Sequence, residues 1–242
     1  MLTKTEAIVL RTVKYGDQTL IADLFTREYG RLSFAVRVSS SAKAKVKRQL
    51  FQPSALINVE FDYRQRIGVQ KVRGVSTSRP YLTIPTNPYK LTLAIFLTEF
   101  LCYATRSEQR NVLLFDYIRA GMEWLDGCTG SFANFHIVFM LRLSHLLGFY
   151  PNVETHHDSR FFDLRSGCFV AECPSHLDFL KPDEASKIAL IMRMDYPTMH
   201  LFAMSHEERN RCLDIILRFY RLHIPGFPEL KSLEVLRELF RN

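Results

Sequence analysis

Apolar and polar residues alternate at period two through the first eighty positions, the repeat of a strand with one buried face. TEAIVLRTV (5–13) is a first strand, KYGDQ (14–18) a turn around Gly16-Asp17, and TLIADLFT (19–26) a second strand. A tight turn at EYG (28–30) leads into RLSFAVRV (31–38). There Leu32, Phe34, Val36 and Val38 take one face and Arg31, Ser33, Ala35 and Arg37 the other. ALINVEFDY (55–63) and GVQKVRGV (68–75), joined by a short charged turn at RQR, make a fourth and a fifth strand. Five short strands with two tight hairpins and one long connection predict a small barrel of the OB type.

The alternation stops near Pro80, and RPYLTIPTNPYK (79–90) reads as a linker. Asn87-Pro88 is a helix start, with Asn as N-cap and Pro in the first turn. The helix that follows, 89–106, is apolar on several faces and is expected to be buried on most sides. NVLLFDYIRAGMEWLDG (111–127) and FANFHIVFMLRLSHLLG (132–148) are further amphipathic helices, each ending at a glycine. Residues 149–180 break the helical pattern, and SRFFDLRSGCFVAEC (159–173) predicts a hairpin turning at Ser166-Gly167. Helices resume at PDEASKIALIMRM (182–194) and at 205–224, which opens on a capping-box spacing from Ser205 to Glu208. LKSLEVLREL (230–239) is a short last helix. The fold class is therefore α+β: a five-stranded OB barrel over 1–80, then an α-helical domain over 81–242 with a small hairpin insertion at 149–180.

Charge sharpens this division. The net charge of +7 is made of +9 in residues 1–80 and −2 in the rest. A basic β domain joined to a near-neutral helical one points to a polyanionic partner on the basic side. Composition alone does not choose between nucleic acid, an acidic protein and anionic lipid. No apolar run approaches the ~20 residues that span a bilayer, and the N-terminus lacks the pattern of a signal peptide. A cytoplasmic location is expected. The five cysteines are odd in number and irregular in spacing, which is no disulfide framework.

The densest positive charge lies in VSSSAKAKVKRQL (38–50), between the third and fourth strands, with Lys43, Lys45, Lys47 and Arg48 and no acid. One reading is a solvated connection. The other is a clamp for a phosphate backbone, with binding that falls steeply with salt. Arg31 and Arg37 share one strand face and Lys71 and Arg73 another, so the charge extends along a groove. Tyr15, Tyr29 and Tyr63 lie near turns, where an exposed ring stacks on bases and a half-buried one simply packs.

His156, His157, Cys173 and His176 form a second candidate site. Cys173 and His176 have usable zinc spacing, but adjacent histidines do not readily face one metal, and Cys168 is five residues from Cys173. No cofactor is expected, and a structural zinc is disfavoured against a core of Phe161, Phe162, Leu164 and Phe169. The chain has no phosphate loop, dinucleotide fingerprint, nucleophile elbow or HExxH. His136, His145 and His223 sit in helical patterns and read as packed or surface residues. Asp183-Glu184 and Glu207-Glu208 open helices, where acids suit the positive end of the dipole. A non-enzymatic protein is expected.

The ordered set AIVLRTVKYGDQTLIADLFTREYGRLSFAVR, KRQLFQPSALI, LLFDYIRAGMEWL and FHIVFMLRLSHLLGFYPNV resembles the RecO family of bacterial DNA-repair mediators. The resemblance runs through most of the chain. It departs from the family at Val38-Ser39-Ser40, where a Gly-Ala-Arg-like turn is common, and at 149–180. There many members carry a CxxC…CxxC zinc ribbon, and here the first CxxC is absent. The resemblance implies binding of single- and double-stranded DNA, annealing of complementary strands and help in loading RecA where single-stranded-DNA-binding protein (SSB) sits. It also implies two protein partners, RecR and the acidic SSB tail. That tail needs an apolar pocket with a cation, and Arg142, flanked by Phe139, Leu143 and Leu146, is the candidate. Two rival readings are an adaptor whose basic domain meets an acidic protein, and a hydrolase with a divergent site.

Overall fold

A computed structural model describes residues 2–38, 48–154 and 160–239. The first strands are β1 (Leu2–Lys14), β2 (Thr19–Thr26), β3 (Gly30–Arg37), β4 (Leu56–Asp62) and β5 (Val69–Arg79). They close into a barrel in the order β1-β2-β3-β5-β4, with β4 returning antiparallel to β1. Only β3 and β5 run parallel. This is the OB-like barrel that the five alternating segments predict.

β1 closes the barrel because it is long enough to pair twice. Its first half runs against β4, Leu2 to Ile8, and its second against β2, Ala7 to Lys14. The register shifts between Val9 and Arg11, and such a bulge bends a strand from one wall to the next. The interior holds Ala7, Val9, Leu24, Phe34, Val59 and Phe61, with Phe51 from the loop ahead of β4. Phe34 belongs to this core, as its place in the alternation predicts.

One side of the barrel is buried a second time. Ala7 to Leu10 are all buried, and so are Ala22 to Phe25 apart from a trace of Asp23. The cover comes from α1 (Pro88–Ala104) and α2 (Val112–Gly127), where Phe115 meets Phe25 at 6.1 Å between ring centroids. Helix α1 is buried around most of its circumference, as its composition predicts. The stretch that reads as a linker is pinned. Asp126 at the end of α2 accepts backbone N–H bonds from Leu82 (2.9 Å), Thr83 (2.8 Å) and Ile84 (2.8 Å). The buried Lys90 donates to the Asp126 carbonyl and the Thr83 hydroxyl.

Ion pairs join barrel to helices. Arg27 grips Asp116 with two bonds of 3.0 Å, and Arg119 reaches Glu6 at 3.1 Å. The bond to Asp116 and its charge raise the Arg27 pKa, and the same bond lowers that of Asp116. Gly30, at φ +65°, lies where an added Cβ would overlap the Gln109 carbonyl of the α1–α2 loop. Arg31 donates its backbone N–H to Glu108 and its guanidinium to the Cys102 carbonyl.

The chain forms two compact units, Met1–Gly127 with Glu229–Leu239, and Cys128–Pro228. The last helix, α6 (Leu233–Leu239), belongs to the first unit. Glu99 on α1 caps it, accepting N–H bonds from Lys231 (3.0 Å) and Ser232 (2.8 Å).

The second unit is built on α3 (Phe135–Leu146) and α5 (His206–His223), whose Tyr220 hydroxyl donates to the Met140 carbonyl at 2.8 Å. The capping box at Ser205 and Glu208 is formed. Strands β6 (Phe161–Asp163) and β7 (Cys168–Val170) make the hairpin, turning through Gly167 at φ +66°. A third strand, β8 (Phe179–Leu180), pairs with β6 and leads into α4 (Pro182–Ile191). Phe162, Phe169, Leu180, Ile188 and Phe219 pack into one core. His136 on α3 is buried, and burial together with the Arg209 charge pushes its pKa down to about 3.

Two measurements probe the joints of the first unit. Gly30→Ala meets both a positive φ and the Gln109 backbone, so it is expected to cost at least ~2 kcal/mol. That lowers the melting temperature by roughly 4–8 °C for a chain of this size, and an unchanged melting curve contradicts the close approach. Asp23 titrates below the ordinary carboxylate value. Burial pushes it up, but the Ser33 hydroxyl and the Arg31 and Arg11 guanidiniums pull it down further. Its contribution is therefore present above the unfolded pKa and is lost as pH falls through the lower folded one. Ser33→Ala removes the strongest of the lowering contacts, so acid unfolding is expected to begin at higher pH. An acid titration followed by circular dichroism checks this.

Candidate nucleic-acid interface

Toward the β1–β2 turn, beyond the stretch that α1 and α2 cover, the outer face of the barrel is open, and its residues follow from the strand register. Val13 pairs with Ile21, Ile21 with Ala35 and Ala35 with Lys71, a row across β1, β2, β3 and β5. These positions alternate with core residues, so their side chains stand on the outer face. Val13 is 48% exposed, Ile21 and Ala35 are half-buried, and Lys71 is exposed. Next along β3, the exposed Arg37 pairs with Thr19. The result is a shallow apolar floor edged by two cations. At its end the β1–β2 turn carries Tyr15, 70% exposed.

The mouth of the barrel lies at the same end. Thr12, Lys14, Leu20, Arg48, Phe51 and Gln52 line a groove of about 460 Å³. Phe51 is its apolar plug, and Lys14 and Arg48 are exposed beside it. Lys14 also lies 4.0 Å from Asp17, but both side chains are so exposed that the pair constrains little. Lys43, Lys45 and Lys47 lie outside the described residues; Arg48 follows directly on that segment.

The expected cations thus divide. Arg37, Arg48 and Lys71 are exposed. Arg73 is exposed but bonds Asp62 at 2.9 Å. Arg31 is turned inward, bonded to the Cys102 carbonyl and to Asp23 at 3.2 Å, so its fork is committed within the fold. Lys14 was not singled out by the sequence pattern. It sits at the end of β1 in the phase of the core, where the closing of the barrel turns that phase outward at the rim. Tyr29 and Tyr63 meet with ring centroids 4.5 Å apart and planes tilted by 41°, and pack near Phe61, while Tyr15 stands free of that cluster.

Arg142 is exposed on α3 and donates to the Met194 carbonyl at 3.3 Å. Its apolar neighbours Phe139 and Leu143 are fully buried and form core rather than an opening. An apolar cleft of about 640 Å³ in this unit is floored by Ile188, Ile191, Met194, Phe202, Met204 and Ile215. Arg211–Glu184 (2.6 Å) and Lys187–Glu208 (3.5 Å) bridge α4 to α5 at its rim.

In the hairpin region His156 and His157 lie outside the described residues. Both ring nitrogens of His176 are engaged, Nε2 with Asp163 at 3.4 Å and Nδ1 with the Asp178 N–H at 3.2 Å. Cys173 is exposed and Cys168 lies 3.1 Å from the Ser166 hydroxyl. Among the described residues no three His, Cys, Asp or Glu side chains gather as metal ligands. Asp178 instead holds Arg165 and Arg218, which stabilises the sheet against α5. No helix among the described residues is long and apolar enough to cross a membrane.

Comparison with known proteins bears on both units. The family model described as "Recombination protein O N terminal" matches residues 1–81, and "Recombination protein O C terminal" matches 85–234. The chain is 51% identical to the DNA repair protein RecO of Phocaeicola vulgatus, over 99% of this chain and all of that one. With the protein of the same name from Bacteroides fragilis it shares 48%, and with that of Porphyromonas gingivalis 31%, at the same coverage. An open barrel face edged by cations, a helical C-terminal part and matches over nearly the full length lead to one assignment. The chain belongs to the RecO family, and its role is that of a recombination mediator in DNA repair.

Proposed function

We propose that the barrel binds single- and double-stranded DNA without catalysis, anneals complementary strands and assists RecA loading on SSB-coated DNA in the cytoplasm, with RecR as a partner. In this reading residues 1–80 are the DNA-binding part and residues 81–242 carry protein contacts. The observation that carries it is the row Val13, Ile21, Ala35 and Lys71 with Arg37 beside it. A flat apolar floor suits base faces, and cations at its edge suit phosphates. Arg48, Lys14 and the lysines at 43, 45 and 47 extend the positive edge at the mouth. Arg73 contributes only by leaving Asp62, and Arg31 acts by holding β3 in place.

For the SSB tail, the α4–α5 cleft offers what an acidic peptide ending in phenylalanine requires: an apolar floor and, at the rim, Arg211 and Lys187. Both cations already face acids, so a peptide carboxylate would take Arg211 from Glu184 by exchange. Arg142 remains the rival cation, since it bonds the carbonyl of Met194, a residue that lines the same cleft.

Two experiments test these readings. Replacing Lys43, Lys45, Lys47 and Arg48 with Ala, and separately Arg37 and Lys71, is expected to weaken binding to a DNA homopolymer. Each lost contact to a single strand should flatten the plot of log K against log salt by about 0.7. Full affinity and slope in both folded variants contradict DNA binding by this face and favour the adaptor reading. Arg211→Ala is expected to weaken an SSB-tail peptide about tenfold, the scale of one charge-assisted hydrogen bond, and to leave DNA binding intact. Loss of peptide binding in Arg142→Ala but not in Arg211→Ala moves the site to α3.

A further inference from the structure

The barrel has a second positive end, opposite its mouth. The β4–β5 loop carries Arg64 and Arg66, both exposed. This loop is not slack. The buried Gln70 side chain accepts from the Arg64 N–H at 3.1 Å and donates to the Arg64 and Ile67 carbonyls at 2.9 and 2.7 Å. The α1–α2 loop carries Arg106 and Arg110, also exposed. It too is fixed to the barrel, through the Glu108 carbonyl on the Arg31 N–H at 3.2 Å and the packing of Gln109 on Gly30. Arg64, Arg66, Arg106 and Arg110 make no ion pair among the described residues.

A continuous set of contacts links the two loops. Tyr63 precedes Arg64 and meets Tyr29 with ring centroids 4.5 Å apart; Tyr29 precedes Gly30, which packs on Gln109, and Arg110 follows. The acids near this end are largely engaged. Asp62 bonds Arg73, Glu28 bonds Thr5 and lies near Arg27, and Asp116 bonds Arg27. Among the described residues, the half-buried Glu108, between Arg106 and Arg110 in the chain, has no such partner.

The eight residues of β3 join this end to the mouth, a distance of about 25 Å at the rise of an extended strand. Lys71 lies between, level with Ala35. Cations therefore stand at both ends of the open face and on it.

We propose that the polyanion track runs the full length of β3 and leaves the barrel over the α1–α2 loop, with Arg64, Arg66, Arg106 and Arg110 holding the phosphates of a single strand there. The helical part of the first unit then shares in DNA binding, which the division at residue 80 leaves to the barrel. This extension rests on the reading of the open face as a DNA site, and one set of measurements separates the two.

The probe is a thymidine homopolymer of about 16 nucleotides, the upper end of the usual site size of one such barrel. Affinity is measured by anisotropy across a salt series for the wild type, for Arg106→Ala/Arg110→Ala and for Arg37→Ala/Lys71→Ala. The loop pair is expected to bind about tenfold more weakly at low salt and to flatten the salt slope by about 1.4, two contacts at about 0.7 each. Arg106→Lys/Arg110→Lys should restore the slope, which a purely structural role would not. An unchanged slope in the folded loop variant, with loss in the face variant, overturns the extension and leaves the face reading standing. Unchanged slopes in both overturn both. Loss in the loop variant alone keeps the second end and overturns the face.

Discussion

Between Arg27 and Arg31 the β2–β3 turn is fastened to the helices that follow the barrel. Arg27 holds Asp116, Gly30 lets the Gln109 backbone come into contact, and Arg31 bonds the Glu108 and Cys102 carbonyls. This fastening decides which side of the barrel is covered. With α1 and α2 held over β1 and β2, Ile8, Leu10 and Phe25 are buried on the outside as the interior residues are on the inside. The same outer face remains open farther along the strands, and Ile21, Ala35 and Lys71 stand there because a strand alternates. The position of the candidate interface is thus set by contacts at the other end of the same strands.

The two units use charge differently. In the first, Asp23 is shared by Arg11, Arg31 and Ser33 and takes up cations that would otherwise face outward. In the second, Asp178 holds two arginines and Glu184 another, so its cations serve mainly to join helix to helix and sheet to helix. Formal charge counts Arg31 and Arg37 alike; only the structure shows that one is spent inside the fold and the other is exposed.

Much of the fold is legible in the residues. Period-two segments, the Asn87-Pro88 start, the capping box at Ser205 and the turn at Gly167 all act over a few residues, and local patterns suffice for them. β8 escapes such reading because two residues carry no period, and it exists only because β6 offers an edge. The linker at 79–90 looks slack because its prolines are visible in the chain while its partner, Asp126, is some forty positions away. The same holds for the candidate interface. Arg37, Arg48 and Lys71 are legible as cations near strand ends, but the commitment of Arg31 and the exposure of Lys14 follow from contacts between distant segments. At Arg142 the limit is the same: helical spacing places Phe139 and Leu143 beside it, yet cannot say that their side chains fill the core.

The capping of α6 by Glu99 has a consequence for synthesis on the ribosome. The first unit is discontinuous, since Glu229–Leu239 returns to a body otherwise complete at Gly127. Between them lie about a hundred residues, or roughly 5–20 s of translation at ordinary rates. During that interval the barrel and its two helices are outside the tunnel while Glu99 waits for the Lys231 and Ser232 N–H groups. The intervening residues, Cys128–Pro228, have all their own elements in hand before the earlier unit has its last. Folding order therefore departs from chain order: the first unit takes up its last helix only after Cys128–Pro228 have been made.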